Sequence, residues 1–435
     1  MREEEFLLER LFKLKENGTN VRTEVVAGVT TFMTMAYIIF VNPDILSATG
    51  MPFGAVMTAT ALSAGITTIL AGFMANYPYA LASGMGLNAF FAFVVAEQAG
   101  WQAALGVIFL SGILFLVLAL TGAINILDAA IPQSLKRAVG VGIGLFIAFI
   151  GVKNAGIIQG DPATIVARGN FAAAGPALAL IGLLITAVLM ARNVRGSILL
   201  GILITTLIGI PMGVTKIAGS IVGKPASLAP IAFKLDFKGA FSLGFMTIFS
   251  FWFVDVFDTV GTLMGTASRA NMLDEKGQLP RIKEMMTVDA IGTCLGAALG
   301  TSTVTTYVES SAGIAEGGRT GLTAVVIGIL FLVSLVFAPL AGMIPTEATA
   351  PALIIVGVLM MLPVKDIDWS DFSEAFPAFI TIAMMPFAFS ISDGISAGFI
   401  SYVVVKALSG KAREIHWLVY VLAAISVIHL IPGLF

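Results

Sequence analysis

The chain has 435 residues, 58% of them hydrophobic and only 11% charged, with a mean hydropathy of +0.98 and a formal net charge of −2. That composition excludes a soluble globular domain, and repeated apolar runs of bilayer-spanning length read as an all-α polytopic membrane protein. Alternating ten-residue strands are absent, which excludes a transmembrane barrel, and the single cysteine, Cys294, excludes a disulfide framework.

Residues 1–20 alternate Glu with Arg and Lys, lack the apolar core of a signal peptide, and read as a cytoplasmic amphipathic segment. Spanning segments are expected over 24–42, 53–75, 79–97, 101–124, 136–157, 173–191 and 196–214. A more polar connection holding Lys216, Lys224, Lys234 and Lys238 leads to a second set over 242–266, 286–300, 301–315, 320–344, 349–363, 374–408 and 414–432. Two segments are interrupted. The third contains Ser83-Gly-Met-Gly-Leu-Asn88, and the tenth reads Thr301-Ser-Thr-Val-Thr-Thr-Tyr-Val-Glu-Ser-Ser-Ala-Gly313. A β-branched polar run of that kind sits at membrane depth only where protein or a watery cavity surrounds it.

Gly112-Ile-Leu-Phe-Leu-Val117 recurs unchanged as Gly328-Ile-Leu-Phe-Leu-Val333, a shift of 216 that also carries Asn88 onto Val304. About 14 segments in two repeats of seven follow, and because seven is odd the second repeat is inverted. Interrupted segments at matching places in inverted halves point to a transporter's binding site. Arg2, Arg10, Lys13, Lys15 and Arg22 put the N-terminus in the cytoplasm of a multi-pass cell (inner) membrane protein. Lys136/Arg137, Arg192/Arg195, Arg269/Lys276/Arg281/Lys283 and Arg319 then share that side. Lys406, Lys411 and Arg413 join them only if 374–408 crosses twice, with its break near Ser392-Asp393-Gly394.

Segment eight carries Asp255 and Asp258, three apart and so on one helical face, inside an apolar run. Acids at membrane depth are costly and mark substrate or ion paths; an ion pair that only ties helices together is the competing reading. Glu309 is a lone acid within the tenth segment. Asn42, Asp44, Asp289 and Asp393 lie at segment ends or breaks and read as caps. Asp128, Glu97, Glu347 and Glu374 read as interface residues, and Glu316 with Arg319 as an ion pair at the cytoplasmic edge. No phosphate-cradling loop, metal-spaced histidines or nucleophile–base set is present, so neither an enzyme nor a metal site is expected.

Gly84-Met-Gly-Leu-Asn88, Phe253-Val-Asp-Val-Phe-Asp-Thr-Val-Gly-Thr262 and Thr305-Thr-Tyr-Val-Glu-Ser-Ser-Ala-Gly313 resemble the AzgA-like adenine/guanine/hypoxanthine permeases, a branch of the nucleobase–ascorbate transporter superfamily. The resemblance covers nearly the whole chain, including Met35-Ala-Tyr-Ile-Ile-Phe-Val-Asn-Pro-Asp44. It implies a core domain (21–130 and 236–345) moving against a gate domain (131–235 and 346–435). It also implies strand pairing between segments three and ten, each followed by a half-helix, proton-coupled purine uptake and a homodimer. One departure stands out. Other branches place a histidine beside the acid of segment eight, whereas this chain has none before His416, so carboxylates must carry any coupling.

A purine needs an aromatic or apolar slot and a few polar groups matched to its edge. Glu309 is the candidate to accept from two neighbouring N–H groups, as on the guanine N1–H and 2-amino edge. Asn88 reads the ring from the opposite segment, and backbone N–H groups near Gly86 and Ser310 add donors. Asp255, Phe253 and Thr306 complete the expected substrate contacts. The coupling proton, the only cofactor expected, is assigned to Asp255, with Asp258 as its partner in a coupled titration and Glu309 as the next choice. The partners expected are a purine base and membrane lipid, and no nucleic acid. The rival is a sulfate- or bicarbonate-type anion transporter of the same fold, whose site should be neutral or basic where this one is acidic.

Overall fold

The computed structural model describes residues 3–122, 130–217, 220–270, 272–274 and 279–431, with backbone alone for 3–6 and 269. Arg2, Asp128 and Lys276 lie outside the described residues, and the Arg269 side chain is not described. Nine helices among the described residues are long and apolar enough to cross a membrane. Helix α1 (Glu3–Phe12) is the amphipathic N-terminal segment; Phe12, with Leu14 just beyond it, buries against Leu322. Helices α2 (Val21–Met35) and α3 (Ile38–Ser47) form one spanning run broken at Ala36–Tyr37. There the N–H groups of Ile39 and Phe40 bond three residues back, the tighter 3₁₀ pattern. The first half continues with α4 (Phe53–Met74), strand β1 (Leu81–Ser83), α5 (Met85–Phe90), α6 (Trp101–Thr121), α7 (Gln133–Asn154), α8 (Ala174–Ala191) and α9 (Ser197–Gly209).

The second half holds α10 (Phe245–Arg269), α11 (Ile282–Leu299), strand β2 (Val304–Thr306), α12 (Ser310–Ala315), α13 (Gly321–Ser334), α14 (Thr346–Met360), α15 (Phe372–Phe387), α16 (Ile391–Lys406) and α17 (Trp417–Leu430). The expected single stretch 374–408 is corrected to two helices. Gly394 lies against Met385 and Gly398 against Thr381, so α15 and α16 run antiparallel. Their hinge falls at Ala388–Ser390, where Phe389 takes a left-handed conformation (φ +55°), a few residues before the expected break. Setting α1 aside and taking α2–α3 as one span, the labelled helices number seven in the first half and eight in the second.

The interrupted segments meet. β1 pairs antiparallel with β2 in the register Leu81↔Thr306, Ala82↔Thr305 and Ser83↔Val304. A two-stranded ribbon leaves an edge on each side, and buried edge groups must be satisfied. Two threonines do this from opposite halves. Thr68 Oγ1 on α4 bonds both the N–H and the carbonyl of Leu81, and Thr293 Oγ1 on α11 does the same for Val304. The identical hexapeptides have a matching duty: Gly112 of α6 fits against Cys294 of α11, and Gly328 of α13 against Gly65 and Ile69 of α4. A side chain at either glycine would hold those helix pairs apart. The inverted repeat is therefore built as α4 on α13 and α11 on α6.

The 216-residue shift does not hold everywhere, since Thr68 and Thr293 stand 225 apart. The helix after β1 runs on through a π turn to Ala99, whereas the one after β2 stops at Ala315, nine residues shorter. The expected match of Asn88 to Val304 is corrected accordingly. Helices α7, α8, α9, α14, α15 and α16 pack mainly on one another, beside the group made by α2, α4, α6, α10, α11 and α13. Between α7 and α8 an unforeseen hairpin pairs Ile158–Asp161 with Ile165–Arg168. Its turn is closed by Asp161, whose carboxyl is held below the ordinary range by bonds from Thr164 and Ala163.

Candidate functional site

The polar centre lies where β1 and β2 cross beside α10, α11 and the α2–α3 break. Asp289, expected as a segment-end cap, instead projects from the body of α11 into this centre. Its Oδ2 accepts from Thr259 Oγ1 (2.6 Å), Thr306 N (3.0 Å) and Thr306 Oγ1 (3.0 Å). Asp255 lies 1% exposed on α10, with Oδ2 2.8 Å from Thr293 Oγ1. The outer oxygens, Oδ1 of Asp255 and Oδ1 of Asp289, are buried with no hydrogen-bond partner among the described residues.

The expected pairing of Asp255 with Asp258 gains a third acid, Asp289, whose charge acts on Asp255 alongside that of Asp258. Asp258, exposed on the same helix, lies close enough to act on Asp255 and Asp289, and Glu309 in turn acts on Asp258. Residues three apart on a helix still diverge by about 60°, enough to aim the two carboxyls at different neighbours. Four acids thus share one neighbourhood, and among the described residues no basic side chain bonds to Asp255, Asp289 or Glu309. Lys136 of α7 lies nearby, its ammonium 5.2 Å from the Phe257 ring centre.

Glu309 is half-buried at the turn into α12, and its Oε1 accepts from Tyr37 Oη at 2.7 Å. Tyr37, at the α2–α3 break, escaped the sequence reading. Its signal was faint: a tyrosine in the apolar run ahead of Asn42-Pro43 looks like an ordinary interfacial anchor. Asn88 on α5 is fully buried, and neither its Oδ1 nor its Nδ2 has a partner among the described residues. An unpaired buried amide is costly in a finished core, and is the state a ligand-reading side chain holds before its ligand arrives.

The other expected contacts are placed less favourably. Thr306 commits both its N–H and its hydroxyl to Asp289. Ser310 accepts from Ala80 N through its hydroxyl and donates its N–H to Tyr307, so both groups are used at the strand–helix junction. Gly86 sits where a Cβ would come within 2.3 Å of Ile143 on α7, so it serves close approach of the two helix groups. Phe253 is fully buried in an aromatic row with Phe249 and Phe257, edge-on to Phe399 of α16.

Around these groups a polar knot fixes the backbone. Asn42 donates to Thr60 (2.7 Å) and Thr301 (2.8 Å), and so ties α3 to α4 and to the approach to β2 rather than capping a helix end. The expected Glu316–Arg319 pair is also corrected: Glu316 pairs with Arg195, while the Arg319 guanidinium donates to the Ile314 and Gly318 carbonyls. Asp393 pairs with His429 (3.0 Å) on a cavity of about 160 Å³ that reaches Phe90, and Phe90 stacks on Phe251 (centroids 4.8 Å).

Residues 22–397 match the family model described as Permease family. The chain is 47% identical to an adenine permease of Escherichia coli strain K12, AdeP, over 98% of its own length and 96% of the relative's. It is 43% identical to a guanine/hypoxanthine permease of Bacillus subtilis strain 168, PbuG, over 98% and 99% respectively. Among solved structures, the transmembrane domain of the cyanobacterial bicarbonate transporter BicA is similar with a TM-score of 0.64. That match has 17% identity and covers 87% of this chain and 97% of that one, and it speaks to the fold alone.

Proposed function

The chain belongs to this permease family, in the adenine/guanine/hypoxanthine branch of the nucleobase–ascorbate superfamily, and on that footing we propose that it imports purine nucleobases by proton symport. It is a multi-pass membrane protein and a transporter, not an enzyme. The observation that carries the reading is the uncommitted buried polarity at the strand crossing: both ends of the Asn88 amide and one oxygen each of Asp255 and Asp289.

A purine docked there offers donors to the carboxylates, and the Asn88 amide answers either a donor or an acceptor on the ring. Asp255 carries the coupled proton, with Asp289 and Asp258 as its acidic neighbours. Two neighbouring carboxyls that share protons respond to bound substrate and to the side from which water reaches them. Movement of the core (21–130 and 236–345) against the gate (131–235 and 346–435) supplies alternating access, with the N-terminus in the cytoplasm. The contacts that must slide include Gly86 on Ile143, Phe253 on Phe399 and Glu316 on Arg195. An anion such as bicarbonate would meet four carboxyls here, so the fold likeness to an anion transporter does not extend to cargo.

The test is uptake of radiolabelled adenine, guanine and hypoxanthine into proteoliposomes, with and without an imposed pH gradient. Accumulation of at least one base, collapsing with the proton gradient and unaffected by sodium, is expected. Uptake of none of the three overturns the reading.

A further inference from the structure

Glu309 is the acid expected to meet a ring edge, yet it is not free. Oε1 already accepts from Tyr37 Oη at 2.7 Å, and among the described residues no other residue's hydrogen bond to this side chain is found. Tyr37 is 1% exposed and flanked by the fully buried Ile38, so its ring cannot swing aside without repacking the helix break. Tyr307, the other nearby phenol, spends its hydroxyl on the Ser83 carbonyl and cannot take over the role.

We propose that Tyr37 is a positioning and specificity-determining residue of the base site: it holds Glu309 by one carboxylate oxygen and leaves the other to the substrate. This rests on the purine-transport reading above. A carboxylate meets a pair of adjacent N–H donors with its two oxygens side by side, the strong bidentate arrangement. Guanine presents such a pair, N1–H beside its 2-amino group, while hypoxanthine presents N1–H alone. Oε1 keeps a second lone pair, but the phenol fixes the carboxylate plane and draws charge from the oxygen that guanine's second donor needs. The wild-type site is therefore set for a single-donor edge, and Glu309 does not serve as the free bidentate acceptor that its sequence context suggests.

The experiment measures competition by unlabelled guanine and hypoxanthine against radiolabelled hypoxanthine, for wild type, Tyr37→Phe, Glu309→Gln and the double variant. Purified protein in detergent is assayed by equilibrium binding in parallel, so that a transport defect does not hide a binding effect. Removing the phenol hydroxyl should improve guanine relative to hypoxanthine by about tenfold, or ~1.4 kcal/mol, and that shift should vanish when Tyr37→Phe is made on Glu309→Gln. A merely structural role for Tyr37 would weaken both bases alike and leave their ratio unchanged, and that result overturns the proposal. So does a ratio shift that persists in the double variant. If wild type takes up no purine, the transport reading itself fails. If wild type transports and the ratio stays fixed, only the role of Tyr37 fails.

Discussion

Asp289→Ala removes the common acceptor of three buried hydrogen bonds, from the Thr259 hydroxyl and from the N–H and hydroxyl of Thr306. The two hydroxyls can rotate; Thr259 lies 2.9 Å from Thr305 Oγ1 and can turn to it. The Thr306 N–H is fixed by strand pairing and, among the described residues, donates to Asp289 alone. A buried donor left unsatisfied costs roughly 1–3 kcal/mol. Taking the amide in full and each of the two hydroxyls at about half weight, Ala should destabilise by about 2–6 kcal/mol. Asp289→Asn keeps an acceptor oxygen and loses mainly the charge assistance, so about 1 kcal/mol is expected. Heated samples of purified protein, read by size-exclusion chromatography, should rank wild type above Asn and Asn well above Ala. Because Thr306 leads into Glu309, Ala should also weaken hypoxanthine binding. An Ala variant as heat-resistant as wild type, with unchanged affinity, would refute the anchoring role.

Other consequences are equally direct. Glu309→Gln, which turns a charged acceptor into one that also carries a donor NH₂, should weaken hypoxanthine binding by roughly tenfold or more, since a charge-assisted bond contributes about 1.5–3 kcal/mol. Asp255→Asn should still bind and exchange purine yet fail to accumulate it against a gradient, and accumulation at the wild-type ratio would exclude Asp255 as the carrier. Thr293→Val, which strips the hydroxyl shared by Asp255 and Val304, should lower both thermal stability and the pH-dependence of uptake. At the end of the molecule near α15, the bond from Lys411 to Asp371, followed by those from Ser373, holds the Asp371 carboxyl well below the usual range. A depressed folded-state pKa stabilises at pH above the unfolded carboxylate value of about 4 and loses that contribution as pH falls. The difference in thermal midpoint between wild type and Asp371→Asn should therefore narrow steadily from pH 6 toward pH 3.

The sequence was most informative where it broke its own rules. A run as polar and β-branched as Thr301–Thr306 has few uses inside an apolar protein, and it forms a paired strand at the crossing. Asp255 and Glu309 stood out for the same reason, as acids with no partner in reach along the chain. Three features were hidden. Asp289 opens toward the site from the body of its helix, but only seven residues separate it from the helix start, where an acid usually caps. Tyr37 acts across 272 positions, a distance over which no local pattern speaks. The α15–α16 hinge lies in an apolar run with no glycine at Phe389, so the polar Ser392-Asp393-Gly394 drew the expected break a few residues too far along.

The two repeats share their scaffold and differ in their chemistry. Thr68 and Thr293 perform one task on the two strands, and Gly112 and Gly328 perform another on the helices behind them. Four residues before Thr293 stands Asp289, and four residues before Thr68 stands Ala64, equally buried and inert. Asp255, Asp258, Asp289 and Glu309 all come from the second half, while the first contributes Asn88 and Tyr37, which are neutral and shape what the acids can meet. In the proposed alternating-access cycle, symmetry of the frame lets two conformations of similar energy exist, since each helix pair has a counterpart facing the other side of the bilayer. A transporter must also distinguish its driving ion from its cargo, and an evenly divided set of groups would not do so. In the proposed cycle the four acids stand on one repeat, so the proton-carrying Asp255 and the base-reading Glu309 share it, while the other repeat supplies the neutral Asn88 and Tyr37. Exchanging Ala64 for Asp would put a fifth carboxyl at a fully buried position, which costs stability unless it is paired, so Ala64→Asp should lower the thermal midpoint of the purified protein as well as purine accumulation in proteoliposomes.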